Sequence, residues 1–337
     1  MTPLRRSLPL LGLAAASALV LAGCASGTAA GDDGTLSVVA STNVYGQVAE
    51  EIGGDLVEVT SIVTNESQDP HSFEASARDQ LTMAKADLVI ENGGGYDAFV
   101  DALIEASGSE APVITAVEHS HDWPENDGHE EESADGDAHD DDLQDDDSHE
   151  DDHADDHDHD HVEGFNEHVW YDPHTIAHVA DAIAAELSEL DPTNAATYAA
   201  NAEAFAAGIE SVEAGLAEID AAHSGAQAFA TEPVPGYLLA AAGLEDVTPE
   251  AFSEAVEEGQ DVPPATLLES LKVLDSGEVA VVATNAQTAG AETAQIVGEA
   301  DGRGIPTVAF SETLPKGQTY LSWMQANVDA LKDALDA

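Results

Sequence analysis

Residues 191–222 read DPTNAATYAANAEAFAAGIESVEAGLAEIDAA, and this stretch predicts one long helix. Asp191 is suited to cap the helix and Pro192 to occupy its first turn. The bulky apolar residues recur every three to seven positions and so form one stripe. Such a helix would be roughly 45 Å long, which predicts a connection between two lobes; a surface helix broken at Gly208 or Gly215 is the alternative. The stripe consists of Tyr198, Phe205, Ile209, Val212, Leu216 and Ile219.

Strands and helices alternate on both sides of this helix. Apolar and β-branched runs of strand length are separated by amphipathic segments of helix length. This alternation predicts an α/β fold of two lobes, each with a mostly parallel sheet flanked by helices, joined by the long linker helix. The predicted strands are 36–40, 56–63, 87–91, 112–117, 227–231, 279–284 and 305–310, and the predicted helices are 44–52, 75–86, 96–106, 175–190, 192–222, 234–242, 264–274, 289–300 and 319–335.

The predicted domain boundaries follow from these elements. Residues 36–190 are expected to form the N-terminal lobe, 191–223 the linker helix and 224–337 the C-terminal lobe. Residues 1–23 are a predicted signal peptide, and residues 24–35 are a polar tether.

The signal peptide resembles that of a bacterial lipoprotein. Arg5 and Arg6 form its positive region, and residues 8–22 are an apolar run too short to span a bilayer comfortably. The run ends in Leu21-Ala22-Gly23-Cys24, which resembles a lipobox and implies a lipid on the thiol of Cys24. Cys24 is the only cysteine, so no disulfide can form within the chain. We expect a secreted protein that is lipid-anchored to the outer face of the cell membrane; a plain secretory signal is the alternative.

A strongly acidic segment interrupts the N-terminal lobe. Residues 118–167 contain nine histidines and 24 Asp or Glu, without Lys or Arg. Because this composition buries no apolar area and its charges repel, it predicts a disordered loop. Imidazole and carboxylate groups bind divalent cations, so the loop is expected to capture or buffer metal weakly, unless it is only a solvated linker. Its accessory metal-binding histidines are predicted to be His149, His153, His157, His159 and His161.

The formal net charge of the whole chain is −60. Such a charge argues against nucleic acid or an anionic lipid surface as a partner. It favours either cation partners or a saline habitat that screens self-repulsion, and the sequence alone does not separate the two.

Four loop residues are candidate metal ligands: His71, His168, Glu232 and Glu312. They lie in loops where the strands of a parallel sheet deliver functional groups. Taken singly, each has a simpler interpretation as a solvated histidine or a surface carboxylate.

Other patterns carry less weight. His174 and His178 lie one helical turn apart and could form a small site, although solvated histidines at a helix start are the simpler interpretation. The one His-Glu-x-x-His match, residues 149–153, lies in the acidic segment and not on a predicted helix, and the chain has no nucleophile elbow, which argues against an enzyme.

The order and spacing of several motifs resemble a known family. These motifs are DPHSFE at 69–74, HVWYDP at 168–173, EPVPGYL at 232–238 and IPTV at 305–308. Together they resemble the substrate-binding lipoproteins of zinc and manganese ABC transporters, the cluster A-I family, over nearly all of the mature chain.

The resemblance implies that two ligands from each lobe hold one divalent ion in a cleft. It places His71 and His168 on the N-terminal side and Glu232 and Glu312 on the C-terminal side. Zinc-type members often have histidine at the position of Glu232, whereas manganese-type members often have glutamate. The usual fourth ligand is aspartate, and the matching position falls on Ser311-Glu312, where glutamate is the better ligand.

The function that the resemblance implies is a monomeric, lipid-anchored receptor that delivers Zn²⁺ to an ABC permease. The histidine-rich loop favours zinc, because manganese gains less from imidazole. A manganese or iron receptor is the alternative within the family. A metal-buffering or adhesin lipoprotein is the alternative from another class.

Overall fold

The computed structural model describes residues 35–65, 67–126, 162, 164–288 and 290–337. Residues Leu36–Ala337 form one compact unit. Among the described residues, no helix has the length and apolar character needed to cross a membrane. The predicted lipidation site and the accessory histidines lie outside the described residues: Cys24, His149, His153, His157, His159 and His161.

The N-terminal lobe is built on a four-stranded parallel sheet with the strand order β2-β1-β3-β4. The central strands β1 and β3 are nearly continuous apolar runs that are buried, as parallel strands covered by helices usually are. The strands are β1 (Leu36–Thr42), β2 (Val57–Val63), β3 (Leu88–Glu91) and β4 (Val113–Thr115), and the helices between them are α1 (Asn43–Gly53), α2 (Ala77–Met83) and α3 (Phe99–Ser107).

Two helices follow the acidic segment. Helix α4 (Pro173–Leu190) begins at the cap residue Asp172, whose carboxylate accepts a hydrogen bond from the backbone N–H of His174. Helix α5 (Ala195–His223) is the predicted long helix. It starts three residues later than predicted, because Asp191 accepts hydrogen bonds from Thr193 and Asn194 and so holds a turn before the helix.

The C-terminal lobe repeats the plan of the first, with a parallel sheet in the order β6-β5-β7-β8. Its strands are β5 (Gln227–Ala230), β6 (Glu245–Asp246), β7 (Val279–Asn285) and β8 (Thr307–Phe310). Its helices are α6 (Gly236–Ala241), α7 (Glu250–Glu257), α8 (Pro264–Asp275), α9 (Ala291–Arg303) and α10 (Tyr320–Leu335). The sequence did not predict β6 or α7, and α7 carries a site residue.

Helix α5 contacts both lobes, as the linker prediction requires. It packs against α1 and α4 on one side and against α6 and α10 on the other. It runs unbroken through Gly208 and Gly215. Gly208 lets α10 approach closely, because a Cβ there would lie 2.3 Å from Cδ1 of Leu321. The two-lobe α/β prediction is therefore confirmed, while the exact lobe boundaries remain a prediction.

The predicted disorder from Glu118 to Glu167 is wrong at both ends of that range. Residues 118–126 and 164–167 belong to the fold, because aromatic and amide side chains anchor them. The rings of Trp123 and Phe165 pack edge to face with centroids 5.1 Å apart. Asn126 donates hydrogen bonds to the carbonyls of Glu118 and Ser120, both at 2.8 Å.

Candidate metal centre

The four predicted ligands lie in a cleft between the carboxyl ends of the two sheets. His71 lies in the loop after β2, and His168 immediately precedes a 3₁₀ turn, Val169–Tyr171, that leads into α4. Glu232 follows β5 and Glu312 follows β8. Parallel sheets deliver functional groups at this end of their strands, so four distant parts of the sequence meet at one place.

Three of the four predicted ligands converge. Each of His71, His168 and Glu312 offers one ligand atom, and these atoms all lie within 4.8 Å of one another. The two imidazole rings have centroids 6.0 Å apart. Ligand atoms around a tetrahedral zinc are about 3.3 Å apart at metal–ligand distances near 2.0–2.1 Å. Small inward movements of the side chains would therefore give a coordinating set.

Glu232 joins this group through a shared hydrogen-bond donor. The side-chain nitrogen of Asn285, at the end of β7, donates to Glu232 at 2.9 Å and to Glu312 at 2.7 Å. Thr288 donates a second hydrogen bond to Glu232. Glu232 is thus placed beside the converging ligands, with its carboxylate oriented by two donors.

Two further carboxylates enter the cleft that the sequence did not single out. Glu257, the last residue of α7, has its Oε1 3.5 Å from Nε2 of His168. His71, Glu167 and Glu257 form a second group whose ligand atoms lie within 4.8 Å of one another. The cleft therefore offers more carboxylates than one divalent ion requires.

The orientation of His168 is fixed by a neighbouring amide. Its Nδ1 lies 2.8 Å from Oδ1 of Asn166, so an Nδ1–H would donate to this oxygen. Nε2 then carries the lone pair that faces the cleft, as in many metal-binding histidines. Asn166 also donates to the carbonyl of Pro233 at 3.0 Å, which connects the His168 loop to the Glu232 loop of the other lobe.

Tyr96 forms one wall of the site. Its ring packs edge-on against His71 with centroids 4.8 Å apart, and its hydroxyl donates to Glu312 at 3.2 Å. The ring of Trp170 lies 4.6 Å from that of Tyr96. The ring of Tyr96 thus restricts the orientation of the His71 imidazole, and its hydroxyl restricts the orientation of the Glu312 carboxylate.

The acidic groups of the cleft are strongly shielded from water. The exposed fraction is 4% for Glu167, 3% for Glu232 and 5% for Glu312. Burial raises the pKa of Glu232, and it raises the pKa of Glu312 to about 7, with Asp69 and Glu232 adding repulsion. Burial together with the charges of Glu167, Glu232 and Glu312 raises the pKa of Glu257 to about 9.

This cluster of buried carboxylates favours the binding of a cation. A buried carboxylate is costly unless it is neutralised by a proton, an ion pair or a metal. The Lys and Arg ion pairs in the described part of the chain involve Arg303 and Lys332, on the surface of the C-terminal lobe. Imidazole and carboxylate together suit zinc, manganese or ferrous iron, and the donor set fits each of these.

A family model for the zinc-uptake complex component A, periplasmic, matches residues 38–334 of this chain. Curated relatives match over shorter stretches. The manganese-binding lipoprotein of Halalkalibacterium halodurans is 26% identical over 186 residues, which cover 55% of this chain and 50% of that protein. The manganese ABC transporter substrate-binding lipoprotein of Streptococcus pneumoniae is 35% identical over 94 residues, 26% of this chain and 30% of that protein. The chain thus spans half or less of the length of these relatives.

Solved structures share the fold over almost their whole length. The laminin-binding adhesin of Streptococcus agalactiae has a TM-score of 0.66 at 22% identity and covers 89% of this chain and 99% of its own. The periplasmic zinc-binding protein of Treponema pallidum has a TM-score of 0.66 at 16% identity, with 90% and 99% covered. At these identities the likeness establishes the two-lobed architecture.

Proposed function

The chain belongs to the family of zinc-uptake complex component A proteins, and we propose that it is a receptor that binds one divalent metal ion outside the cytoplasm and delivers it to an ABC permease. The convergence of His71, His168 and Glu312 within 4.8 Å carries this proposal. Glu232 completes the set as the fourth ligand. Four protein ligands leave no open position for a reacting water, which suits a transport protein rather than a metalloenzyme.

The residues around the ligands hold and orient the cargo. Asn166 directs Nε2 of His168 into the cleft, and Asn285 aligns the carboxylates of Glu232 and Glu312. Two ionised carboxylates and two neutral imidazoles carry a charge of −2, which neutralises a divalent ion. Because α5 contacts both lobes, release is expected to need small movements of the lobes rather than a wide hinge.

Zinc is the proposed cargo. Two imidazoles among the converging ligands and the histidine-rich acidic segment support it, since manganese prefers oxygen ligands. Manganese is the second candidate, because Glu232 and Glu312 supply oxygen and because most of the matching curated relatives are named for manganese. The neighbouring carboxylates of Glu167 and Glu257 would supply oxygen ligands for the larger shell that manganese takes.

The proposed cellular setting follows the sequence. We place the mature protein at the outer face of the cell membrane, held by a lipid on Cys24, and acting as a monomer beside its permease. The lipoprotein names of the relatives support this placement.

Metal titration by calorimetry tests the proposal. The mature chain lacking residues 127–161 is titrated with Zn²⁺ and with Mn²⁺, which removes the acidic segment but keeps the Trp123–Phe165 contact. One tight zinc site, with much weaker manganese binding, is expected. Tight manganese binding would reassign the cargo. The absence of any tight site would leave metal buffering by the acidic segment as the surviving function.

A further inference from the structure

A histidine pair lies outside the cleft, on the first two turns of α4. The Nε2 atoms of His174 and His178 are 3.1 Å apart, and their rings are nearly perpendicular with centroids 4.6 Å apart. Two imidazole nitrogens bound to one tetrahedral zinc are about 3.3 Å apart, from Zn–N distances of about 2.0–2.1 Å. The pair thus already has the spacing that a single ion requires.

The pair lines a surface pocket of about 520 Å³ that holds further ligand groups. His119, His121 and Asp181 line the same pocket. The ring of His121 lies 3.2 Å from Asp122 and 3.8 Å from Asp172, measured between nitrogen and carboxylate oxygen. The pocket beside the pair therefore contains further imidazole and carboxylate groups.

We propose that His174 and His178 form a second site for zinc or another divalent cation that prefers imidazole. His174 is exposed, so water completes the shell and the ion exchanges readily. Manganese binds poorly here, because it prefers oxygen ligands. The site needs none of the cleft ligands, so it is independent of the receptor function proposed above.

The position of this second site gives it a role. His168 of the cleft and His174 of the pair are six residues apart, joined by the 3₁₀ turn Val169–Tyr171. Asn126, which lines the pocket, is followed directly in the sequence by the histidine- and acid-rich residues 127–161. The pair thus provides a fixed, exchangeable site beside the cleft and at the start of the segment that is richest in metal-binding side chains.

A simpler origin of the close contact is a hydrogen bond between two neutral rings, one donating and one accepting. The test is the reactivity of each histidine toward diethyl pyrocarbonate, read residue by residue by mass spectrometry on the full mature chain. Zn²⁺ alone is the probe. We expect it to slow modification of His174 and His178 by about ten-fold, as for nitrogens whose lone pairs are bound. Mn²⁺ should leave both rates nearly unchanged. Zn²⁺ should likewise leave the modification rate of His223, at the C-terminal end of α5, nearly unchanged.

Two variants separate the outcomes. In His174→Gln, zinc protection of His178 should disappear while protection of His71 persists. In the double variant His71→Ala, His168→Ala, protection of the pair should persist, which distinguishes it from the cleft. Equal protection of His178 in His174→Gln and in the parent chain would overturn the proposal, as would a lack of protection in the parent.

Discussion

Glu232 and Glu312 accept hydrogen bonds from one and the same nitrogen, Nδ2 of Asn285. Two buried carboxylates from different loops are thereby fixed side by side, although their charges repel. A single neutral donor cannot compensate both charges, whereas a divalent cation can. Asn285 therefore orients the two carboxylates, and a bound divalent cation would supply the positive charge that compensates them.

Replacing Asn285 by alanine should weaken metal binding without removing a ligand. Outer-shell partners of metal ligands typically contribute 10–100-fold to affinity, so we expect a loss of about that size in a Zn²⁺ titration. Asn201→Ala is the matched control, because Asn201 donates to the carbonyl of Ile52, far from the cleft. An affinity equal to that of the parent would contradict the role of Asn285.

Removing either cleft imidazole should have a larger effect. His71→Ala and His168→Ala each remove a side chain that is proposed to bind the metal directly. Each should therefore lower zinc affinity by at least about 100-fold, which is more than the loss expected from changing an outer-shell residue. His223→Ala, which removes a histidine paired with Asp336, should bind as the parent does. Circular dichroism before titration verifies that each variant is folded, and unchanged affinity in both cleft variants would refute the receptor proposal.

The metal-free protein should lose stability as the pH rises. The pKa of Glu257 is about 9 in the folded protein, above its ordinary value of 4.5. Between these values the folded state holds a proton that the unfolded state has released, so the free energy of unfolding falls with increasing pH. The slope is about 1.4 kcal/mol per pH unit for one such group. Glu312 adds to it up to pH about 7.

Urea unfolding with a chelator at pH 6, 7 and 8 measures this dependence. Glu257→Gln should flatten it most between pH 7 and 8, where Glu257 still holds its proton and Glu312 is mostly ionised. Glu258→Gln is the matched control, because Glu258 is the exposed neighbour. Equal slopes in the Glu257→Gln variant and in the parent would contradict the burial of a protonated Glu257.

Tyr320 links the terminal helix to the His168 segment. Its buried hydroxyl donates to the carbonyl of Trp170 at 2.9 Å. Tyr320→Phe leaves that carbonyl without this donor and should lower the free energy of unfolding by about 1–3 kcal/mol. Tyr198→Phe is the matched control and should cost less, because its partner Asp191 also reaches solvent. Equal urea midpoints for the two variants would show that the Tyr320 hydrogen bond stabilises the protein no more than the Tyr198 hydrogen bond does.

The sequence predicted the strands well because both faces of a central parallel strand are buried. Val38, Val39 and Ala40 in β1 are buried together, and such continuous apolar runs are visible without a structure. The long helix was visible for a similar reason, since its apolar stripe is regular. Its start was less predictable, because a side-chain turn around Asp191 competes with the helix.

The site was only partly predictable. His71 and His168 stand in motifs, whereas Glu257 ends a short acidic helix in which only Phe252 is fully buried. A helix with so small an apolar face has almost no periodic signal. Asn285 is one amide at the end of a strand, and no spacing marks it. Both acquire their roles from the fold, which brings α7 and β7 to the same cleft.

The contact between Trp123 and Phe165 makes this position of the fold a suitable site for inserting another protein segment. These rings pack the two flanks of the acidic segment against each other, so the two flanks form a fixed stem. For an inserted segment that is itself flexible, doubling its length adds only about 0.6 kcal/mol of closure entropy. Residues 127–161 can therefore be exchanged for a fluorescent reporter while all four proposed ligands stay in place. The chain thereby becomes a scaffold for a genetically encoded metal sensor.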